Sequence, residues 1–180
     1  VQLFDRDTGV PLALIDGPEL TARRTAAASA LAARYLAPEG AEKLLMIGTG
    51  VLAQHLPMAH ASVRPIKQVK IWGRDPEKAA ALAQTFTAQG LSAEPAGNLA
   101  DAVAWADVIS TATLSKTPIL QGAWLRPGQH IDLVGAFRPD MREADDAVLG
   151  RARIFCDTRA GAMKEAGDLC DPLARGIITE

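Results

Sequence analysis

The sequence predicts the α/β class, built on a doubly wound parallel sheet with helices on both faces. Three observations carry this. Short apolar runs alternate with helix-forming stretches from Leu44 onward, the first run (Leu44 to Ile47) is apolar at every position, and a glycine turn, Gly48-Thr49-Gly50, joins that run to a helix. Together they describe a Rossmann-type sheet.

The elements follow in chain order. Val1 to Asp16 reads as a hairpin, two apolar runs around Asp5-Arg6-Asp7-Thr8-Gly9, with Gly9 supplying a positive φ. Glu19 to Ala37 is dense in helix formers and stops at Pro38; small residues on most of its faces predict a helix wedged between two elements. The alternation then gives strand Leu44–Ile47, helix Val51–Ala61, strand Val69–Trp72, helix Pro76–Gln89, strand Leu91–Glu94 and helix Leu99–Trp105. Strands Val108–Thr111 and Gln129–Val134 come next, then a helix Arg142–Leu149 and a sixth strand, Ile154–Cys156.

Composition limits the function. With 180 residues, 48% hydrophobic and 22% charged, the chain has the balance of a globular protein able to bury a real core. A net charge of −2 removes the usual electrostatic footprint for nucleic acid, and no continuous apolar stretch reaches membrane-spanning length. Neither nucleic acid nor membrane is an expected partner. Two cysteines are too few for a disulfide framework and fit a reducing, cytoplasmic setting. Cys156 reads as a core thiol in its strand and Cys170 as a loop cysteine. His55, His60 and His130 lack metal-ligand spacing with any cysteine or acid pair.

The chemistry centres on Gly48-Thr49-Gly50-Val51-Leu52-Ala53, a G-x-G-x-x-A turn between strand and helix. Gly48 permits the tight turn, Gly50 lets the backbone approach a pyrophosphate, and Ala53 lets the helix sit close to the strand. A ligand's negative charge would meet free N–H groups of Thr49, Gly50, Val51 and Leu52 at the helix start. The second strand ends in Trp72-Gly73-Arg74-Asp75. Gly73 offers no acceptor for ribose hydroxyls, and the Arg74 guanidinium suits a phosphate, which favours NADP(H) over NAD(H), although NAD(H) remains open. A solvated loop arginine is the other reading of Arg74. Asp75 is either a ribose acceptor or the cap of the helix opened by Pro76.

Seven segments then resemble, in order, the ornithine cyclodeaminase/mu-crystallin family: Leu20–Ala27, Ile47–Gly50, Val69–Arg74, Ala106–Thr113, Leu125–Ile131, Val134–Glu143 and Glu165–Leu169. The resemblance runs from Leu3 to about Leu173. It implies an NAD(P)-dependent oxidoreductase acting on amino acids, imino acids or cyclic ketimines, organised as a homodimer. It also implies that residues 1–18 are a hairpin of a second, substrate and dimerisation domain, 19–38 a connecting helix and 39–180 the Rossmann domain, so that the chain is the cofactor-binding part of a longer protein.

By the same resemblance Arg24, in Arg24-Thr25-Ala26-Ala27, faces the cleft near cofactor and substrate, and Thr111, Thr113, Leu114, Leu133 and Val134 contact the nicotinamide half. Ornithine cyclodeaminases proper carry a proton-transferring aspartate where this chain has Phe137, so the ring-closing deamination is not expected. The ketimine reductase-like branch fits instead: hydride transfer between NADPH and a small cyclic ketimine carboxylate, or between the cofactor and an amino or imino acid. A non-catalytic NADP-dependent ligand carrier and a cyclodeaminase-like lyase are the alternatives. Asp140, Glu143, Asp145 and Asp146 read as helix-start and solvated-face acids, and Gly167 and Asp168 as a turn and a cap.

Overall fold

The computed structural model describes residues 1–179. Glu180, the last residue of the expected third segment, lies outside them. β1 (Gln2–Phe4) and β2 (Pro11–Leu14) pair antiparallel, and every residue of both strands is exposed. Their turn is fixed by Asp5, whose carboxylate accepts from the Thr8 N–H and hydroxyl, both at 2.7 Å, with Gly9 at φ +72°.

Asp16 caps α1 (Gly17–Leu36) by accepting from the Glu19 N–H at 2.9 Å, and the helix ends at Ala37, which the following Pro38 forces into extended backbone. α1 buries a single stripe, Ala22, Ala26, Ser29, Ala30 and Ala33, against the elements that follow. Leu31 and Tyr35 on its opposite face are exposed among the described residues.

The main sheet is parallel throughout, in the order β5-β4-β3-β6-β7. Its strands are β3 (Lys43–Ile47), β4 (Gln68–Trp72), β5 (Ser92–Pro95), β6 (Val108–Thr111) and β7 (His130–Leu133). Alternation along β3 divides the core. Leu44 and Met46 join Val69, Ile71 and Phe86 beneath α2 (Leu56–Ala61) and α3 (Pro76–Ala88); Leu45 and Ile47 join Val103, Ile109 and Leu120 beneath α4 (Leu99–Trp105) and α5 (Asp146–Arg151). α6 (Arg159–Glu165) and α7 (Gly167–Ala174) close the described chain. The chain builds outward from β3 to β5, then crosses back to lay β6 on the other side of β3. That reversal opens a crevice at the carboxyl ends of β3 and β6. No helix among the described residues is long and apolar enough to cross a membrane.

Three expected elements differ. The helix Val51–Ala61 is broken into a 3-10 turn, Leu52–Gln54, and α2, because Pro57 lacks an N–H and its ring excludes a continuous helix through Ala53. The helix expected from Arg142 starts at Asp146, capped by Asp145 on the Val148 N–H at 3.0 Å; residues 141–144 before it are buried and not helical. Ile154–Cys156 pairs with no strand among the described residues and is exposed, so Cys156 is not a core thiol. An apolar triplet has a strand's composition, but without a ladder partner its backbone groups stay with solvent.

Candidate functional site

The glycine turn sits at the crevice and is held from two sides. Its Gly48 N–H donates to the Trp72 carbonyl at 2.8 Å, tying the turn to the end of β4. Gly48 has φ +122°, and a Cβ there would lie 2.5 Å from the Ala112 carbonyl oxygen beyond β6, so only glycine fits. Gly50 is the opposite case: a Cβ would meet no protein atom within 4 Å. The N–H groups of Thr49, Gly50 and Val51 find no acceptor among the described residues. Ala53 is fully buried against the core. An open approach over Gly50, bare N–H groups and a small residue beneath are what a dinucleotide pyrophosphate requires, so these residues fit that group.

At the end of β4, Gly73 lies against the Thr49 side chain; a Cβ would be 2.7 Å from Thr49 Cγ2. Arg74 is exposed and forms no ion pair among the described residues. Asp75 caps α3, its Oδ1 accepting from the Glu77 and Lys78 N–H groups at 3.1 and 3.3 Å. Of its two readings, the cap is the one visible in the structure.

Beyond the switch, Val134 donates its N–H to the Thr111 carbonyl at 2.9 Å, which brings Leu133 and Val134 beside the end of β6. Leu114 is exposed. Thr111 and Thr113 direct their hydroxyls to Glu143, each at 2.7 Å. Glu143 is buried rather than a solvated-face acid, which corrects the expectation. Burial pushes its pKa above the ordinary carboxylate value, and the donors from Thr111, Thr113 and Gly135 pull it back. Asp168 is also buried, and it accepts from the Glu143 and Ala144 N–H groups instead of capping its own helix. Arg24 is exposed on α1, without an ion-pair partner among the described residues. A hollow of about 1040 Å³ opens between α1, α2 and α3. It reaches the proposed residues only at Thr49, so the site is defined by the sheet's topology and not by this hollow.

A polar group that sequence reading missed lies on the α1 face of the sheet. Asp132 of β7 accepts from the Ser110 hydroxyl at 2.7 Å and faces His60 Nε2 at 3.1 Å. Burial alone would raise the Asp132 pKa; hydrogen bonds from His60, Ser110 and Ser29 outweigh it and hold it below the usual value. The available signal was a carboxylate in the middle of Ile131-Asp132-Leu133, a strand with both faces covered, where a charge needs a partner.

The model of the ornithine cyclodeaminase/mu-crystallin family matches residues 1–175. The chain belongs to that family. Delta(1)-pyrroline-2-carboxylate reductase of Paracoccus denitrificans is 42% identical over 180 residues, 98% of this chain and 56% of the relative. Ketimine reductase mu-crystallin of Mus musculus is 42% identical over 169 residues, covering 94% of this chain and 53% of the relative. The chain thus spans about half the length of the curated relatives it matches. Among solved structures, Thermococcus litoralis Delta(1)-pyrroline-2-carboxylate reductase, in complex with NADH and L-proline, superposes with a TM-score of 0.94 at 32% identity, over 98% of this chain and 55% of that one.

Proposed function

We propose that this family member binds NADP(H) in the crevice between β3 and β6 and serves the reduction of a small cyclic ketimine carboxylate or imino acid, with Δ1-pyrroline-2-carboxylate the leading substrate. The observation that carries the reading is the glycine turn, with unpaired N–H groups and open space over Gly50 at the topological switch. The names of the relatives, reductases of pyrroline carboxylate and ketimines, supply the substrate class.

The roles divide along the crevice. Gly48, Thr49, Gly50, Val51 and Leu52 hold the pyrophosphate. Arg74 takes the adenosine-side phosphate, since Gly73 presents no acceptor and the Asp75 carboxylate is engaged as a cap. Thr111, Thr113, Leu114, Leu133 and Val134 shape the nicotinamide end, and Arg24 holds the substrate carboxylate. The bound nicotinamide supplies the hydride; the chain orients the partners and excludes water. Phe137 is exposed and carries no proton, which leaves cyclodeamination without its acid. The hairpin belongs to a substrate and dimerisation domain in a homodimer, α1 connects it to the Rossmann domain, and the two free cysteines suit a cytoplasmic setting.

Steady-state assays of the whole protein with NADPH or NADH against pyrroline and piperideine carboxylates test this. Turnover with a lower KM for NADPH is expected. NADPH binding without turnover of either imine overturns the enzyme reading and leaves a ligand carrier.

A further inference from the structure

We infer that Glu143, anchored by Asp168, is a positioning residue that sets the spacing of the β6 and β7 ends and thereby the nicotinamide half of the crevice. The inference rests on the dinucleotide reading above and adds to it the device that shapes one half of the site.

Four donors converge on one carboxylate. Oε2 accepts from the Thr111 hydroxyl at 2.7 Å and the Gly135 N–H at 2.6 Å; Oε1 accepts from the Thr113 N–H at 2.6 Å and its hydroxyl at 2.7 Å. Thr111 and Thr113 continue β6, and Gly135 follows β7, so the carboxylate joins both strand ends where they meet the crevice. No room is left between them. A Cβ on Gly135 would collide with the Thr113 carbonyl oxygen and with Glu143 Oε1 itself.

The backbone of Glu143 is fixed just as tightly. Its N–H donates to Asp168 Oδ1 at 2.9 Å, beside the Ala144 N–H at 3.0 Å, and its carbonyl accepts from the Ile119 and Leu120 N–H groups, both at 2.8 Å. Asp168 reaches this place because Gly167 packs directly on the Arg138 and Met141 carbonyls, where any Cβ would clash, and donates its N–H to the Ala136 carbonyl at 3.0 Å. The segment Glu165-Ala166-Gly167-Asp168 thus has a physical role: it brings an acceptor from α7 to hold the residue that holds the strand ends.

The side-chain type follows from this geometry. Each oxygen takes one backbone N–H, from Gly135 or Thr113, so both must accept; a glutamine amide would turn its N–H₂ toward one of these donors. Adenosine is bound on the β4 side of the switch, which Glu143 does not touch. A fault at Glu143 therefore falls chiefly on the nicotinamide half, although Thr113 also lies close to Gly48.

The test compares NADH with ADP-ribose, which lacks the nicotinamide, by fluorescence and calorimetric titration of the wild type and of Glu143→Gln. Glu143→Gln is expected to weaken NADH by about tenfold or more and ADP-ribose by much less. Asp168→Ala should reproduce that split, and Asp168→Asn, which keeps an oxygen acceptor, should restore NADH binding. This second pair keeps the inference open to refutation if Glu143→Gln does not fold. Equal weakening of both ligands, or no change in either, overturns the positioning role. Failure of the wild type to bind NADPH as well as these two ligands overturns the dinucleotide reading itself.

Discussion

His60 Nε2 in α2 and Asp132 Oδ2 in β7 face each other at 3.1 Å, joining two elements 72 residues apart. His60 is fully buried and the Asp132 side chain is 12% exposed. Asp132→Ala strands both the imidazole and the Ser110 hydroxyl, at a cost of about 3 kcal/mol. Urea unfolding should show a lowered midpoint with an unchanged slope.

The same region makes stability sensitive to acid. Burial pushes the His130 pKa below the ordinary histidine value; the Asp132 charge opposes this, and His60 and Arg64 add to it. The unfolded chain then binds a proton at His130 more readily than the folded one. The stabilisation is complete above the ordinary histidine value and is lost as pH falls through the lowered folded value. Urea midpoints should decline from about pH 7 to about pH 5, and His130→Gln should flatten that decline.

Much of the architecture is legible in the sequence because it rests on local signals. Strands separated by helices, a glycine turn after the apolar Leu44–Ile47 run, and Asp75 and Pro76 opening a helix are all readable within a few residues. What stays hidden depends on distant partners. Glu143 reads as a surface acid until Thr111, Thr113 and Gly135 are placed around it. Asp168 reads as a cap until its acceptor oxygen is found on residues 143 and 144. Ile154–Cys156 shows the reverse error, in which apolar composition promises a ladder that no neighbouring strand supplies.

The two glycines of the turn should fail differently. Gly48→Ala combines a left-handed φ with a Cβ 2.5 Å from a backbone carbonyl, and should destabilise by at least about 2 kcal/mol, read as a lowered melting temperature. Gly50→Ala places its methyl in open space, so the melting temperature should stay near wild type. On the proposed reading that methyl occupies the pyrophosphate's approach, and NADPH affinity should fall by tenfold or more, about 1.4 kcal/mol. Equal binding by Gly50→Ala and wild type would remove Gly50 from the site.

On the proposed reading, cofactor choice turns on adjacent residues with different commitments. Arg74 is exposed and unpaired among the described residues, while Asp75 spends Oδ1 on the α3 cap and keeps Oδ2 3.6 Å from Lys78 Nζ. Arg74→Ala should weaken NADPH by about tenfold, the loss of one charge-assisted contact to a phosphate, and leave NADH unchanged. Asp75→Asn is the matching control, because asparagine caps a helix as well as aspartate does. If Asp75 only caps, this variant binds NADH as the wild type does. If the carboxylate also holds the ribose, NADH weakens selectively and the preference moves further toward NADPH. Titrating both nucleotides against both variants therefore separates the cap from the ribose contact, and a loss of NADH affinity in Arg74→Ala would contradict the phosphate role.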